Sequence, residues 1–123
     1  MSANAALYVC WGHAVPGREQ KSLEVFMHAQ EFNATLEKQG KITAHRTYIT
    51  TTGSMERFAG FMVLEGSVEQ LRAVIDSPEW QQIRLKAEHL VEGLDVVHCV
   101  TGAEIPRMVQ QIVDVRRQLG LNG

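Results

Sequence analysis

The chain lacks the marks of most function classes. It has no block of basic residues: 12 Lys and Arg stand against 14 Asp and Glu, a net charge of −2. A nucleic-acid or anionic-membrane surface is therefore not indicated. No apolar run approaches the ~20 residues that a membrane span needs. The opening Met1-Ser2-Ala3-Asn4-Ala5-Ala6 has no basic segment and no long apolar segment, so no secretory leader is expected and a cytoplasmic location is. There is no Gly-x-Gly-x-x-Gly, no Walker loop, no Gly-x-Ser-x-Gly and no His-Glu-x-x-His. Nucleotide-dependent and serine-triad chemistry have no residues to carry them, and no cofactor is expected.

Cysteine is scarce as well. Cys10 and Cys99 both sit in apolar, strand-like runs and are expected as buried thiols in a reducing compartment. With His13 and His98 they are the right ligand types for zinc. Cys10 and His13 differ in strand parity, however, as do His98 and Cys99, so the four cannot meet at one ion without a bulge. No metal site is expected.

What is present reads as one domain. A chain of 123 residues with 45% apolar and 21% charged content suits a single core. Residues 7–15 form a first strand, with Leu7, Val9, Trp11, His13 and Val15 on one face. Pro16-Gly17 breaks it. A helix over 18–39 follows, with Val25, Phe26, Ala29, Phe32 and Leu36 as its main stripe. Leu23, Met27 and Ala34 lie off that stripe, a patch suited to contact beyond the helix's own sheet. Gly40 supplies the left-handed cap.

Residues 42–52, rich in Thr, Ile and Tyr, read as a second strand. The third, over 58–64, is apolar or small on both faces: Phe58, Gly60, Met62 and Leu64 on one, Ala59, Phe61 and Val63 on the other. A strand with one wet face would alternate, so something must cover each side. One cover is the helix opened by Ser67, whose spacing to Gln70 makes a capping box. Asp76-Ser77-Pro78 interrupts that helix. Ser77 is placed as a new N-cap and Pro78 as the first helical residue. The restarted helix buries Trp80, Ile83, Ala87, Leu90 and Val91 and ends at Gly93. Residues 96–101 form the fourth strand. A last amphipathic helix over 105–119 carries Ile105, Met108, Val109, Ile112, Val115 and Leu119 on one side, and 120–123 are expected to fray.

Two βαβ units with right-handed crossovers give an α+β, ferredoxin-like βαββαβ fold: a four-stranded antiparallel sheet in the order 4-1-3-2, both helices on one face. Residues 7–102 would be the core and 103–123 a C-terminal helical extension. The other face of the sheet is then left apolar and uncovered. A face-to-face homodimer hides it, because each apolar side chain buried contributes ~1.5–3 kcal/mol.

Over residues 7–102 the chain resembles the dimeric α+β barrel superfamily. The likeness rests on the strand–helix order, on Gly60-Phe61-Met62-Val63-Leu64-Glu65-Gly66-Ser67 leading into a helix, and on Ser77-Pro78-Glu79-Trp80 restarting one. That resemblance implies a pocket between sheet and helices. Its members include cofactor-independent quinone-forming monooxygenases, haem-degrading enzymes and muconolactone-isomerase-like enzymes, as well as proteins with no known reaction. The haem-degrading members use a tryptophan that the third strand here does not have, so haem is not implied.

His13, sharing a face with Trp11 near a strand end, is the candidate general base for an acidic substrate hydroxyl; the competing reading is a strand-end histidine making a structural hydrogen bond, which a single histidine without a visible partner favours. Trp11, Arg46 and Tyr48 are the candidate pocket residues. Arg46 and Tyr48 share a face and can hold a carboxylate or phenolate, though polar residues on an edge strand also discourage aggregation. His98, alternating with Val96 and Val100, is expected as a hydrogen-bonded core residue. Two readings follow. One is a monooxygenase-like or isomerase-like enzyme acting on a small aromatic molecule. The other is a non-catalytic dimer that binds a small apolar ligand or serves a structural or regulatory role.

Overall fold

A computed structural model describes residues 3–121; Met1 and Ser2 of the N-terminal segment, and Asn122 and Gly123 of the expected loose tail, lie outside the described residues. The elements are β1 (Ala5–Trp11), α1 (Glu19–Lys38), β2 (Ala44–Ile49), β3 (Gly60–Gly66), α2 (Val68–Asp76), α3 (Pro78–Leu90), β4 (Asp95–Val100) and α4 (Glu104–Gln118). The four strands make one antiparallel sheet in the order β2-β3-β1-β4, as the crossover argument requires.

Pairing fixes which residues share a face. Leu7 lies opposite Leu64 and His98, and Val9 opposite Met62 and Val96. Ala5, Leu7, Met62 and Leu64 meet Leu36, Leu71, Val74 and Trp80 from the helices to form the core. Leu7, Leu64 and Ile42 are at most 2% exposed, and each such side chain contributes ~1.5–3 kcal/mol relative to solvent. β3 buries every second residue, from Gly60 to Gly66.

The local signals hold. Ser67 accepts from the Gln70 N–H at 3.1 Å, and Gln70 Oε1 accepts from the Ser67 N–H at 2.8 Å, the two halves of the capping box. Ser77 caps α3 through the Trp80 N–H, with Pro78 in the first turn. Gly40 and Gly93 take positive φ after α1 and α3.

Three expectations are corrected. The first strand ends at Trp11, not Val15. Beyond it, the Gly12 N–H donates to the Glu92 carbonyl (2.7 Å), the Glu92 N–H to that of His13 (2.9 Å) and the Val15 N–H to that of Leu90 (2.8 Å), so the segment leaves the sheet to pair with the end of α3. Phe58 belongs to the loop before β3, where it is exposed beneath the Arg57 guanidinium. Of the two thiols only Cys10 is buried; both lie on the sheet face away from the helices, but Cys10 is on the interior strand β1, between β3 and β4, and Cys99 on the edge strand β4.

Among the described glycines, Gly12 leaves the least room for a side chain. A Cβ there would stand 2.1 Å from the Glu56 carbonyl oxygen and 3.1 Å from that of Glu92.

Candidate functional site

The sheet has two unlike faces, and the residues singled out from the sequence divide between them. Alternation along β1 turns Leu7, Val9 and Trp11 toward the helices, and Tyr8 and Cys10 away from them. Between α1, α3 and the sheet lies a cavity of about 90 Å³. Trp11, Phe26, Phe32 and Trp80 supply four rings to its wall, Val9, Met62 and Ile83 add aliphatic surface, and Ser22, Asn33 and Arg84 are its polar side chains. Trp11 meets Phe26 edge-on, ring centres 5.9 Å apart. Ser22, Val25 and Ala29 line the cavity from α1, and Arg84 and Ala87 from α3. Arg18 Nη1, just before α1, donates to the His89 carbonyl of α3 at 2.7 Å and ties the two helices together.

Asn33 is the unusual member. It is 4% exposed, and its amide Nδ2 donates to Met62 Sδ at 3.5 Å. A thioether is a weak acceptor, so a ligand oxygen offers this donor a better partner. Arg84 pairs with Glu88 one turn along α3 and stays partly exposed at the rim. Neither residue was among the sequence candidates. The signal for Asn33 was present: Phe26, Ala29, Asn33 and Leu36 follow helical spacing, which places an amide inside the apolar stripe. Nothing in the sequence marks Arg84.

The four candidates do not converge. Trp11 lines the cavity. His13 is exposed and is not among the lining residues; its backbone carbonyl binds the Glu92 N–H. Arg46 and Tyr48 pair with Val63 and Phe61 and so stand on the opposite face. There Tyr48 stacks on Phe61 (centres 4.8 Å apart, planes 21° apart), and Phe61 meets Tyr8 at 5.2 Å. Arg46 lies 3.6 Å from Glu65, an exposed pair that stabilises little. Val63, Val97, Cys10 and Cys99 complete this face.

Titration follows the same division. Burial pushes the Cys10 thiol up, and the nearby Asp95 adds to the shift, so it stays a neutral thiol rather than a nucleophile. Burial also raises Tyr8. The N–H of His45, donating to Glu37 at 2.9 Å, lowers that carboxyl with help from the His45 ring, and so pins α1 to β2. Two further histidines have side-chain partners. His28 contacts Glu79, and the His89 ring bonds the Leu85 carbonyl, which requires a proton on Nδ1. His98 is exposed rather than a core residue, because β4 is an edge strand that α2 leaves partly open. Among the described residues, no group of three or more His, Cys, Asp or Glu is placed to hold a metal ion. No helix among them is long and apolar enough to cross a membrane.

This arrangement of strands and helices has solved counterparts. A conserved protein from Bacteroides thetaiotaomicron, described as a possible oxidoreductase, superposes with a TM-score of 0.57 at 18% identity over 81% of this chain and 100% of its own. PA3566 from Pseudomonas aeruginosa gives 0.59 at 13% identity over 84% and 98%. SnoaB, a cofactor-independent oxygenase from Streptomyces nogalater, gives 0.52 at 14% over 82% and 94%. The chain shares with these structures an α+β, ferredoxin-like fold with a four-stranded antiparallel sheet. No family model and no curated protein sequence matches the chain. At these identities the likeness concerns the α+β barrel fold alone, since one fold hosts many functions.

Proposed function

We propose that this α+β barrel protein works as a homodimer and binds a small aromatic molecule with an oxygen substituent in the cavity between the sheet, α1 and α3. The carrying observation is the wall itself: four aromatic rings around about 90 Å³, with a buried amide and a rim guanidinium as the points of orientation. Apolar pockets with a few placed polar groups are the usual form of a small-molecule site. The volume lies below the ~150 Å³ of an apolar cavity that takes benzene, so the occupant is about one ring, admitted by a slight parting of α1 from α3. Ring faces and edges hold it. Asn33 Nδ2 donates to its oxygen, and Arg84 favours that oxygen as a phenolate.

Binding is the primary reading because the polar lining, Ser22, Asn33 and Arg84, contains no side chain that accepts a proton near neutral pH. A second reading, oxygenation of the bound molecule without a cofactor, draws on the likeness to SnoaB. In that reading Asn33 and Arg84 hold the substrate oxygen and the substrate supplies its own electrons. His13 would then act only as a base reached through solvent.

Both tryptophans of the chain, Trp11 and Trp80, line the cavity, so intrinsic emission reports its contents. Titration with para-fluorophenol, followed by tryptophan emission and fluorine NMR, is expected to saturate. Ala29→Phe with Ala87→Phe, which adds two rings to the lining from α1 and α3, should weaken binding by at least about tenfold. Equal binding by the filled variant, or no response at millimolar ligand, contradicts the assignment. Oxygen uptake with the same phenol separates the two readings.

A further inference from the structure

α4 is an amphipathic helix whose apolar side its own chain leaves bare. None of its 15 residues is buried. Among the described residues it has no substantial packing against any other strand or helix, although Arg116 makes an interaction within the chain. Its apolar residues follow a strict spacing. Ile105, Met108, Ile112, Val115 and Leu119 stand at alternating steps of three and four, the first and fourth (a and d) positions of two heptads. All are between 44% and 67% exposed. Glu104, Gln111, Arg116 and Gln118 bound them. A seam this narrow is the mark of a helix that pairs with another helix, whereas a helix laid on a sheet shows a broader face.

Val109 decides the direction of the pair. It is the one apolar residue on the seam's flank, at the position after Met108 (e), and is 53% exposed. Between two parallel copies of α4, e faces the g position of the other helix, and Val109 would meet the Glu104 carboxylate. Between antiparallel copies e faces e, and the two Val109 side chains meet each other.

The connection to the sheet permits that meeting. Three residues, 101–103, join β4 to α4, and the Thr101 N–H donates to the Asn4 carbonyl at 3.1 Å, so α4 starts at the β4 edge. Sheets packed face to face stand ~10 Å apart, and paired helices have axes ~8–10 Å apart. Each α4 therefore touches its twin without leaving the level of its own sheet. Four strands ~4.8 Å apart and six or seven residues long make a sheet about 20 Å in each direction. The start of α4 then lies about 10 Å from a twofold axis through the middle of the interface, along the strands or across them. A 15-residue helix is ~22 Å long, so its middle, beside Val109, arrives at the axis. There the twofold turns the twin the opposite way.

Area favours the same partner. The open sheet face has a footprint of about 400 Å², short of the ~600 Å² per partner at which specific interfaces begin. A seam ~10 Å wide along α4 adds about 220 Å² to each copy and closes the gap.

We propose that the two α4 helices of the homodimer pair antiparallel through this seam across the twofold axis, Val109 against Val109 of the other copy. This rests on the homodimer reading above and adds to it a second element of the interface.

Sedimentation equilibrium on four variants tests it. Ile112→Lys, in the seam, is expected to weaken the dimer by at least about 30-fold, and Val113→Lys, one residue on and facing outward, to leave it within about threefold. Val109→Glu alone and Val109→Lys alone each bring like charges together and should each weaken it by about tenfold. Mixed in equal amounts, these two should regain at least about fivefold as heterodimers in which opposite charges meet. Circular-dichroism melting of the variants as monomers is expected to be equal, because α4 is exposed within a protomer. An Ile112→Lys dimer as tight as the unmodified one, an equal loss with Val113→Lys, or no recovery in the mixture overturns the pairing of α4 and leaves the sheet-to-sheet dimer standing. An unmodified chain that sediments as a monomer overturns both.

Discussion

Phe61→Glu is expected to separate the proposed dimer into folded monomers. Phe61 lies on β3, an interior strand, and forms the centre of the uncovered face between Tyr48 and Tyr8. Within one protomer it is half-buried, so a carboxylate there can still reach water. In a face-to-face dimer it cannot. Two carboxylates, one from each copy, would be desolvated close to the twofold axis, at a cost of several kcal/mol per ion. Dimer affinity should fall by at least about a thousandfold. Phe61→Leu keeps the apolar character and should retain the dimer. Light scattering on a sizing column reads both variants. A Phe61→Glu chain that still runs as a tight dimer would place the interface elsewhere.

Gly12→Ala is expected to cost at least about 3 kcal/mol of folding stability, out of the ~5–15 kcal/mol that a domain this size has available. The side chain itself is not the issue; its neighbours are. The new methyl would overlap the Glu56 carbonyl at 2.1 Å, and behind it stands the Glu92 carbonyl at 3.1 Å. Both are backbone, so no rotamer change relieves the overlap. Either the loop before β3 must move, which disturbs the Ala59 N–H bond to the Trp11 carbonyl (2.7 Å), or the chain must give up the Gly12 N–H bond to Glu92. At the usual size scaling the melting temperature should drop by roughly 10–15 °C. Thermal unfolding by circular dichroism checks this, and a melting temperature within about 2 °C of the unmodified chain would contradict the close approach.

How much of this was legible in the sequence depends on the range of the interaction. Local chemistry read cleanly. The Ser67–Gln70 box, the Ser77-Pro78 restart and the Gly40 and Gly93 turns each depend on residues a few positions apart, and each formed where the spacing placed it. The sheet order followed from the handedness of the two crossovers. The end of β1 did not read, because Gly12 to Val15 remain extended while pairing with residues 90–92, a distant partner that alternation cannot reveal. The site read least well. Sharing a strand face placed His13 beside Trp11, but the chain leaves the sheet between them, so only Trp11 reaches the cavity. Arg46 and Tyr48 were correctly paired with each other by parity, yet which side of the sheet they faced depended on pairing with β3. Asn33 was hidden because an amide within an apolar stripe carries meaning only once a cavity is seen beside it.

The same parity gives the protein its division of labour. One residue set of each central strand builds the core and the cavity wall; the other builds an aromatic face that α1, α2 and α3 do not cover. The apolar side of α4 is a second surplus of the same kind. The proposed homodimer covers the first of these.

Sedimentation equilibrium on the unmodified chain at micromolar concentration tests that claim most directly. The prediction is a single species of twice the 13.8 kDa chain mass. A species of one chain mass that persists as concentration rises would contradict it.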